Sequence, residues 1–162
     1  MPDLRSVALA RRRAPAWMRQ TVPDLAAVAL ARRRARRDDA HVARILVGDD
    51  DPDILTLVRI KLEASGHEVL TAPDGEAGLT AAREQGPDLV VADWTMPRLT
   101  GIEMLAGMRA DPATAIIPFI LLTARAQQTD EPGIDGFLAK PFTLTELAAR
   151  VDAVLARGRS GA

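Results

Sequence analysis

The chain has 162 residues, 48% of them hydrophobic and 27% charged, with a formal net charge of −1; this is enough for one domain with a sizeable core. It contains no cysteine and only two histidines, which excludes disulfides, thiolate zinc sites and cysteine nucleophiles and leaves little for a histidine-built metal site or triad. No apolar run approaches membrane-spanning length and no secretory segment is evident, so a cytoplasmic location is the expectation.

The charge is unevenly placed. Residues 1–44 carry +7, from 11 Arg against 4 Asp, and residues 45–162 carry −8. The first 41 residues also hold a repeat: PDLRSVALARRRA from Pro2 and PDLAAVALARRRA from Pro23 agree at eleven of thirteen positions. Ala, Leu and Arg favour helix, but each copy spans about three turns, marginal alone in water. The expectation is a basic extension, disordered or fraying, over residues 1–41. A role on nucleic acid or an anionic membrane is weighed against a plain solvated tail. The tail is favoured, because the repeat has few of the aromatic or bulky apolar groups that stacking or insertion needs.

The body follows, from residue 42 to residue 157, with a tail over 158–162. Arg44 to Gly48 (RILVG) reads as a buried strand running into Asp49, Asp50 and Asp51. Asp51-Pro52 starts a helix, Asp as cap and Pro in the first turn, and Ile54, Leu55, Val58 and Leu62 keep helical spacing to Ser65-Gly66. His67 to Ala72 is a short strand. Asp74 caps a second helix whose inner face is Ala77, Leu79, Ala81 and Ala82. Leu89 to Ala92 is an apolar run that stops at Asp93, the pattern of a central parallel strand. Thr100-Gly101 opens a third helix with Ile102, Met104, Leu105 and Met108 inward. Ile116 to Leu122 runs into Thr123, and Gly136 to Ala139 runs into Lys140-Pro141. A last helix follows from Thr143 to Arg157, with Thr143 and Glu146 spaced as a capping box. Strands alternating with helices imply a doubly wound parallel sheet. The link between Thr123 and Gly136 contains Pro132-Gly133 and little apolar periodicity, so its helix, the fourth in such a fold, is expected to be short or missing.

Four strands thus end at carboxylates, a hydroxyl or an ammonium. If they are neighbours, one rim of the sheet gathers all of these groups. Clustered carboxylates offer hard oxygen ligands to Mg²⁺, and lysine offers a point charge to phosphate oxygens. Open α/β sheets place their ligands at this rim. Asp51 is better read as a helix cap than as a ligand, and Trp94 as a cover for the rim.

The stretches ILVGDDDPDI, VVADWTMP with TGIEML behind it, ILLTA and FLAKPF, in that order, resemble the receiver domain of bacterial two-component response regulators, of the chemotaxis-regulator type. The resemblance covers about Ala43 to Arg157. It implies a flavodoxin-like fold with strand order 2-1-3-4-5. It implies that Asp93 is the phosphoacceptor, taking a phosphoryl group from a sensor histidine kinase or a phosphotransfer protein. It implies that Asp49, Asp50, Asp93 and the backbone carbonyl of Thr95 bind Mg²⁺, Asp49 through water. Lys140 falls on the lysine that pairs with the acids and then with the phosphate. Thr123 falls on the hydroxyl that turns toward the phosphoryl group, and Phe137 on the aromatic switch position. The Lys140-Pro141 bond is a cis candidate. Such a domain promotes its own phosphorylation and dephosphorylation but is not a turnover enzyme, and its signal passes to a downstream protein by contact or by relay.

Three departures stand out. The Thr123–Lys140 interval is shorter than the family usually shows, Phe137 lacks a hydroxyl, and Gly48 replaces a bulky residue, which is expected to loosen that edge. The competing reading keeps the fold but not the chemistry: a phosphorylation-independent, receiver-like interaction module with an altered fourth-helix surface. A phosphatase of the haloacid-dehalogenase type also uses a strand-end Asp with Mg²⁺, but it wants an acid two residues on, where this chain has Thr95.

Overall fold

The computed structural model of the chain describes residues 42–124 and 132–160, with side chains as far as Arg157. The repeat-bearing extension, expected to be disordered or fraying, lies outside the described residues. Among the described residues five strands and four helices follow in the order β1 (Arg44–Gly48), α1 (Pro52–Ala64), β2 (Glu68–Ala72), α2 (Gly75–Gln85), β3 (Leu89–Asp93), α3 (Gly101–Arg109), β4 (Phe119–Thr123), β5 (Gly136–Ala139) and α4 (Leu144–Ser160). The strands form one parallel sheet in the order β2-β1-β3-β4-β5. Among the described residues no helix lies between β4 and β5; residues 125–131, on which the expectation of a short or missing fourth helix largely falls, lie outside the described residues.

The pleat sorts the apolar residues onto two faces. Ile45, Val47, Leu89, Val91, Ile120 and Leu122 pack with Val58 and Leu62 of α1 and Leu147 and Val151 of α4. Their alternates Leu46, Val90, Ala92, Phe119 and Leu121 pack with Ala82 of α2 and Met104, Leu105 and Met108 of α3. The sheet is therefore a buried middle layer, which explains why β1, β3 and β4 read as nearly continuous apolar runs.

The helix starts follow the capping logic. Asp51 accepts from the Asp53 N–H at 2.9 Å and Asp74 from the Ala77 N–H at 2.8 Å. Thr143 and Glu146 form the expected reciprocal box at 3.1 and 2.9 Å. Thr100 and Glu103 form a second box, with both contacts at 3.2 Å.

Two expectations need correction. The fourth strand begins at Phe119, not Ile116, which is 61% exposed. Asp111 caps a turn there by accepting from the Ala113 N–H at 3.0 Å, and Thr114 closes it through Met108. Gly48 does not loosen its edge: it is buried, and a Cβ there would meet the Met96 sulfur at 3.4 Å, so that methionine already fills the space.

Candidate functional site

The register of the sheet brings the strand ends together. Gly48 pairs with Ala92 and Thr123 with Ala139. Asp49 therefore follows β1 beside Asp93 at the end of β3, and Lys140 follows β5 beside Thr123 at the end of β4. Between β1 and β3 the chain leaves the sheet in opposite directions, the position at which open α/β sheets leave a crevice for ligands.

Local backbone bonds fix each group. The Asp49 N–H donates to the Ala72 carbonyl at 3.2 Å and the Lys140 N–H to the Thr123 carbonyl at 2.7 Å. After Asp93 the chain is held on both sides: the Trp94 N–H donates to Leu122 and the Gly101 N–H to the Trp94 carbonyl, each at 2.8 Å. A Cβ at Gly101 would collide with the Asp93 carbonyl oxygen, so glycine is required where α3 starts against the acidic strand end.

Three carboxylates converge here. Asp49, Asp50 and Asp93 each place an oxygen within 4.8 Å of the others. Asp49 is fully buried, Asp93 is nearly so, and Asp50 is exposed. The Lys140 ammonium reaches in from the far side of the sheet, 3.0 Å from Asp93 Oδ2 and 3.4 Å from Asp49 Oδ2. Asp93 Oδ1 faces the Thr95 N–H at 3.4 Å, and Asp49 Oδ1 accepts from the Asp51 N–H at 2.9 Å.

The electrostatics follow from this packing. Burial pushes the Asp49 carboxyl above its ordinary value, and the charge of Asp93 adds to the rise. The Asp51 N–H and Lys140 only partly offset it. Burial alone would push Lys140 down. Its hydrogen bond to Asp93 and the charges of Asp49 and Asp93 outweigh burial and hold it above the ordinary lysine value. A cluster of three acids with one ammonium is short of positive charge, and hard oxygen donors at this spacing fit a small divalent cation such as Mg²⁺.

Every residue singled out from the sequence can now be placed. Asp49, Asp50, Asp93 and Lys140 meet at one rim. Thr123 is buried at that rim, at the end of β4. Thr95 is exposed in the loop after Asp93, and its N–H faces the Asp93 carboxylate. Phe137 lies half-buried on the α2/α3 face, in register with Leu121. Asp51 caps α1. The Lys140–Pro141 bond is cis, as expected. Arg109, which the sequence did not single out, binds three backbone carbonyls and the Asp135 carboxylate below the opposite rim.

Comparison with known proteins agrees with this geometry. The family model of the response regulator receiver domain matches residues 45–152. The alkaline phosphatase synthesis transcriptional regulatory protein PhoP of Bacillus subtilis is 40% identical over 124 residues, covering 74% of this chain and 51% of the relative. The transcriptional regulatory protein PrrA of Mycobacterium tuberculosis is 43% identical, covering 74% of this chain and 52% of the relative. The chain thus spans about half the length of these curated relatives. Among solved structures, the chemotaxis response regulator CheY4 of Vibrio cholerae superposes with a TM-score of 0.66 at 30% identity, over 70% of this chain and 98% of that one. The receiver domain of sensor histidine kinase PA1611 of Pseudomonas aeruginosa, solved with a magnesium ion in its active site cleft, gives 0.66 at 29% identity over the same shares. With the matched residues, the strand order and the acidic rim in agreement, the chain belongs to the response regulator receiver domain family, the signalling domains of two-component systems.

Proposed function

We propose that residues 42–157 are a phosphoacceptor unit in which Asp93 takes the phosphoryl group from a phosphohistidine of a sensor histidine kinase or phosphotransfer protein. One observation carries the reading. The Lys140 ammonium joins Asp49 and Asp93, 91 and 47 residues away in sequence, at a single point. A buried carboxylate pair held by one lysine is poor design for stability alone and well suited to meeting a transferring phosphoryl group.

Asp49, Asp50, Asp93 and the Thr95 carbonyl would hold Mg²⁺, which when bound neutralises charge on the transferring group. The chain's own residues do the rest. An Asp93 oxygen forms the new bond to phosphorus as the bond to the donor nitrogen breaks. Lys140 balances the added negative charge on the phosphoryl oxygens, and the Thr123 hydroxyl turns toward them as a donor. Phe137 follows that movement from its half-buried position on β5. The protein positions and stabilises, so it works as a switch and not as a turnover enzyme. A downstream protein reads the outcome by contact or relay. The site of action in this reading is the cytoplasm; among the described residues no helix is long and apolar enough to cross a membrane.

Acetyl phosphate with Mg²⁺ tests this reading. Intact-mass spectrometry is expected to show one phosphoryl adduct on the wild type and none on Asp93→Asn. No adduct on the wild type across several small donors and kinases would instead favour the phosphorylation-independent interaction module.

A further inference from the structure

Two aspartates outside the acidic rim perform the same task. Asp88, just before β3, donates its N–H to the Arg44 carbonyl at 2.7 Å and accepts the Arg44 N–H on its carboxylate at 2.8 Å. Asp135, just before β5, treats Phe119 the same way, at 2.9 and 2.8 Å. Each pins one strand pair in register at the end of the sheet opposite the acids. β3 lies between two partners. β5 is a four-residue edge strand, half-buried throughout, and it pairs only with β4 among the described residues. Such a strand is weakly held by its own ladder.

Arg109, the last residue of α3, supplies what the ladder lacks. Its Nη1 donates to the carbonyls of Ala115 (2.9 Å) and Ile117 (2.7 Å), on the approach to β4. Its Nη2 donates to the Gly133 carbonyl (2.7 Å) and to Asp135 Oδ2 (3.1 Å), on the approach to β5. A planar guanidinium can hold both approaches at once, and a lysine cannot. Gly133 completes the clamp. Its φ of +88° suits glycine, and a Cβ there would stand 3.1 Å from Arg109 Nε.

Lys140 stands at the other end of β5, five residues after Asp135. A one-residue slip of a strand turns every side chain to the opposite face. Here a slip would put Ala139 or Pro141 where the ammonium now meets Asp49 and Asp93. We propose that Arg109 is a positioning residue for Lys140: by clamping the approaches to β4 and β5 through Ile117, Gly133 and Asp135, it holds the register that delivers the ammonium to the acidic rim. The effect on phosphoryl transfer rests on the phosphoacceptor reading; the clamp itself does not.

The test uses the full chain, with Arg109→Met and Arg109→Lys compared to the wild type. Arg109→Met is expected to raise amide hydrogen exchange over residues 136–140 by roughly tenfold or more while β1 and β3 keep their protection. It is expected to slow phosphoryl uptake from acetyl phosphate by roughly tenfold and to leave Mg²⁺ affinity undiminished, because the carboxylates stay in place. Arg109→Lys keeps the charge and the stem but not the fork, so it falls between the two; it also carries the test if Arg109→Met does not fold. Exchange that rises evenly over the whole sheet, or does not rise in β5, overturns the proposal. So does wild-type uptake from a loosened β5, or Mg²⁺ affinity that falls in step with uptake. A wild type that accepts no phosphoryl group defeats the phosphoacceptor reading, and the exchange pattern then still decides whether Arg109 sets the placement of β5.

Discussion

Asp49 and Asp50 are neighbours in sequence with opposite surroundings: one is fully buried and the other is exposed. The difference sets their chemistry. Burial raises the Asp49 carboxyl above 3.8, its ordinary value. The folded chain therefore holds a proton at pH values where the unfolded chain has released it, and stability falls as pH rises through that window. Above the window the full cost of a buried carboxylate remains. Asp49→Asn removes it. In metal-free buffer near pH 7 the variant is expected to melt above the wild type by roughly 2–4 °C, the shift that about 1 kcal/mol produces at this size. The gain should vanish below the ordinary carboxylate value. Mg²⁺ should reverse the order, because a cation stabilises only the chain that still binds it. A variant no more stable than the wild type at neutral pH without Mg²⁺ would show that Lys140 already compensates the charge.

At the scale of elements, the rim is built by glycines as much as by acids. Gly101 lets α3 start against the Asp93 carbonyl, and Gly78 lets α2 approach Met104, whose sulfur would stand 2.9 Å from a Cβ there. Gly101→Ala pushes on backbone, which cannot yield as a side chain does. It is expected to cost about 1–3 kcal/mol in chemical denaturation and to weaken Mg²⁺ binding by displacing Asp93. Unchanged stability would mean that the start of α3 is looser than it stands here. These close approaches mark where sequence reading stops. The strand ends were legible because apolar runs halt at Asp49, Asp93, Thr123 and Lys140. The Thr143–Glu146 box was legible because its signal is local. Gly75 and Gly78 were not, because their partners Leu99 and Met104 come from other segments. Nor was Arg109, three of whose four acceptors are backbone carbonyls with no residue signature. Ile116-Ile117 passed for strand because local hydrophobicity cannot show the turn that Asp111 and Thr114 close.

For the whole molecule, the described contacts form one sandwich of helices around the sheet, and among the described residues the acidic rim draws on none before Asp49. We propose that the basic extension and the acidic body work independently. Removing residues 1–41 is expected to leave the melting temperature and the rate of adduct formation within error of the full chain. Any salt-dependent binding to nucleic acid should disappear with it. A truncated chain that no longer takes a phosphoryl group would make the extension part of the working unit. The proposal that Asp93 is the acceptor rests on the family membership, the strand order and the convergence of groups from four strand ends.

Borohydride trapping tests that assignment most directly. It reduces an aspartyl phosphate to homoserine, and peptide mapping then reads the position. After acetyl phosphate and Mg²⁺, homoserine is expected at position 93 alone. Homoserine at position 49 or 50, or none at 93 in a chain that carries the adduct, would contradict it.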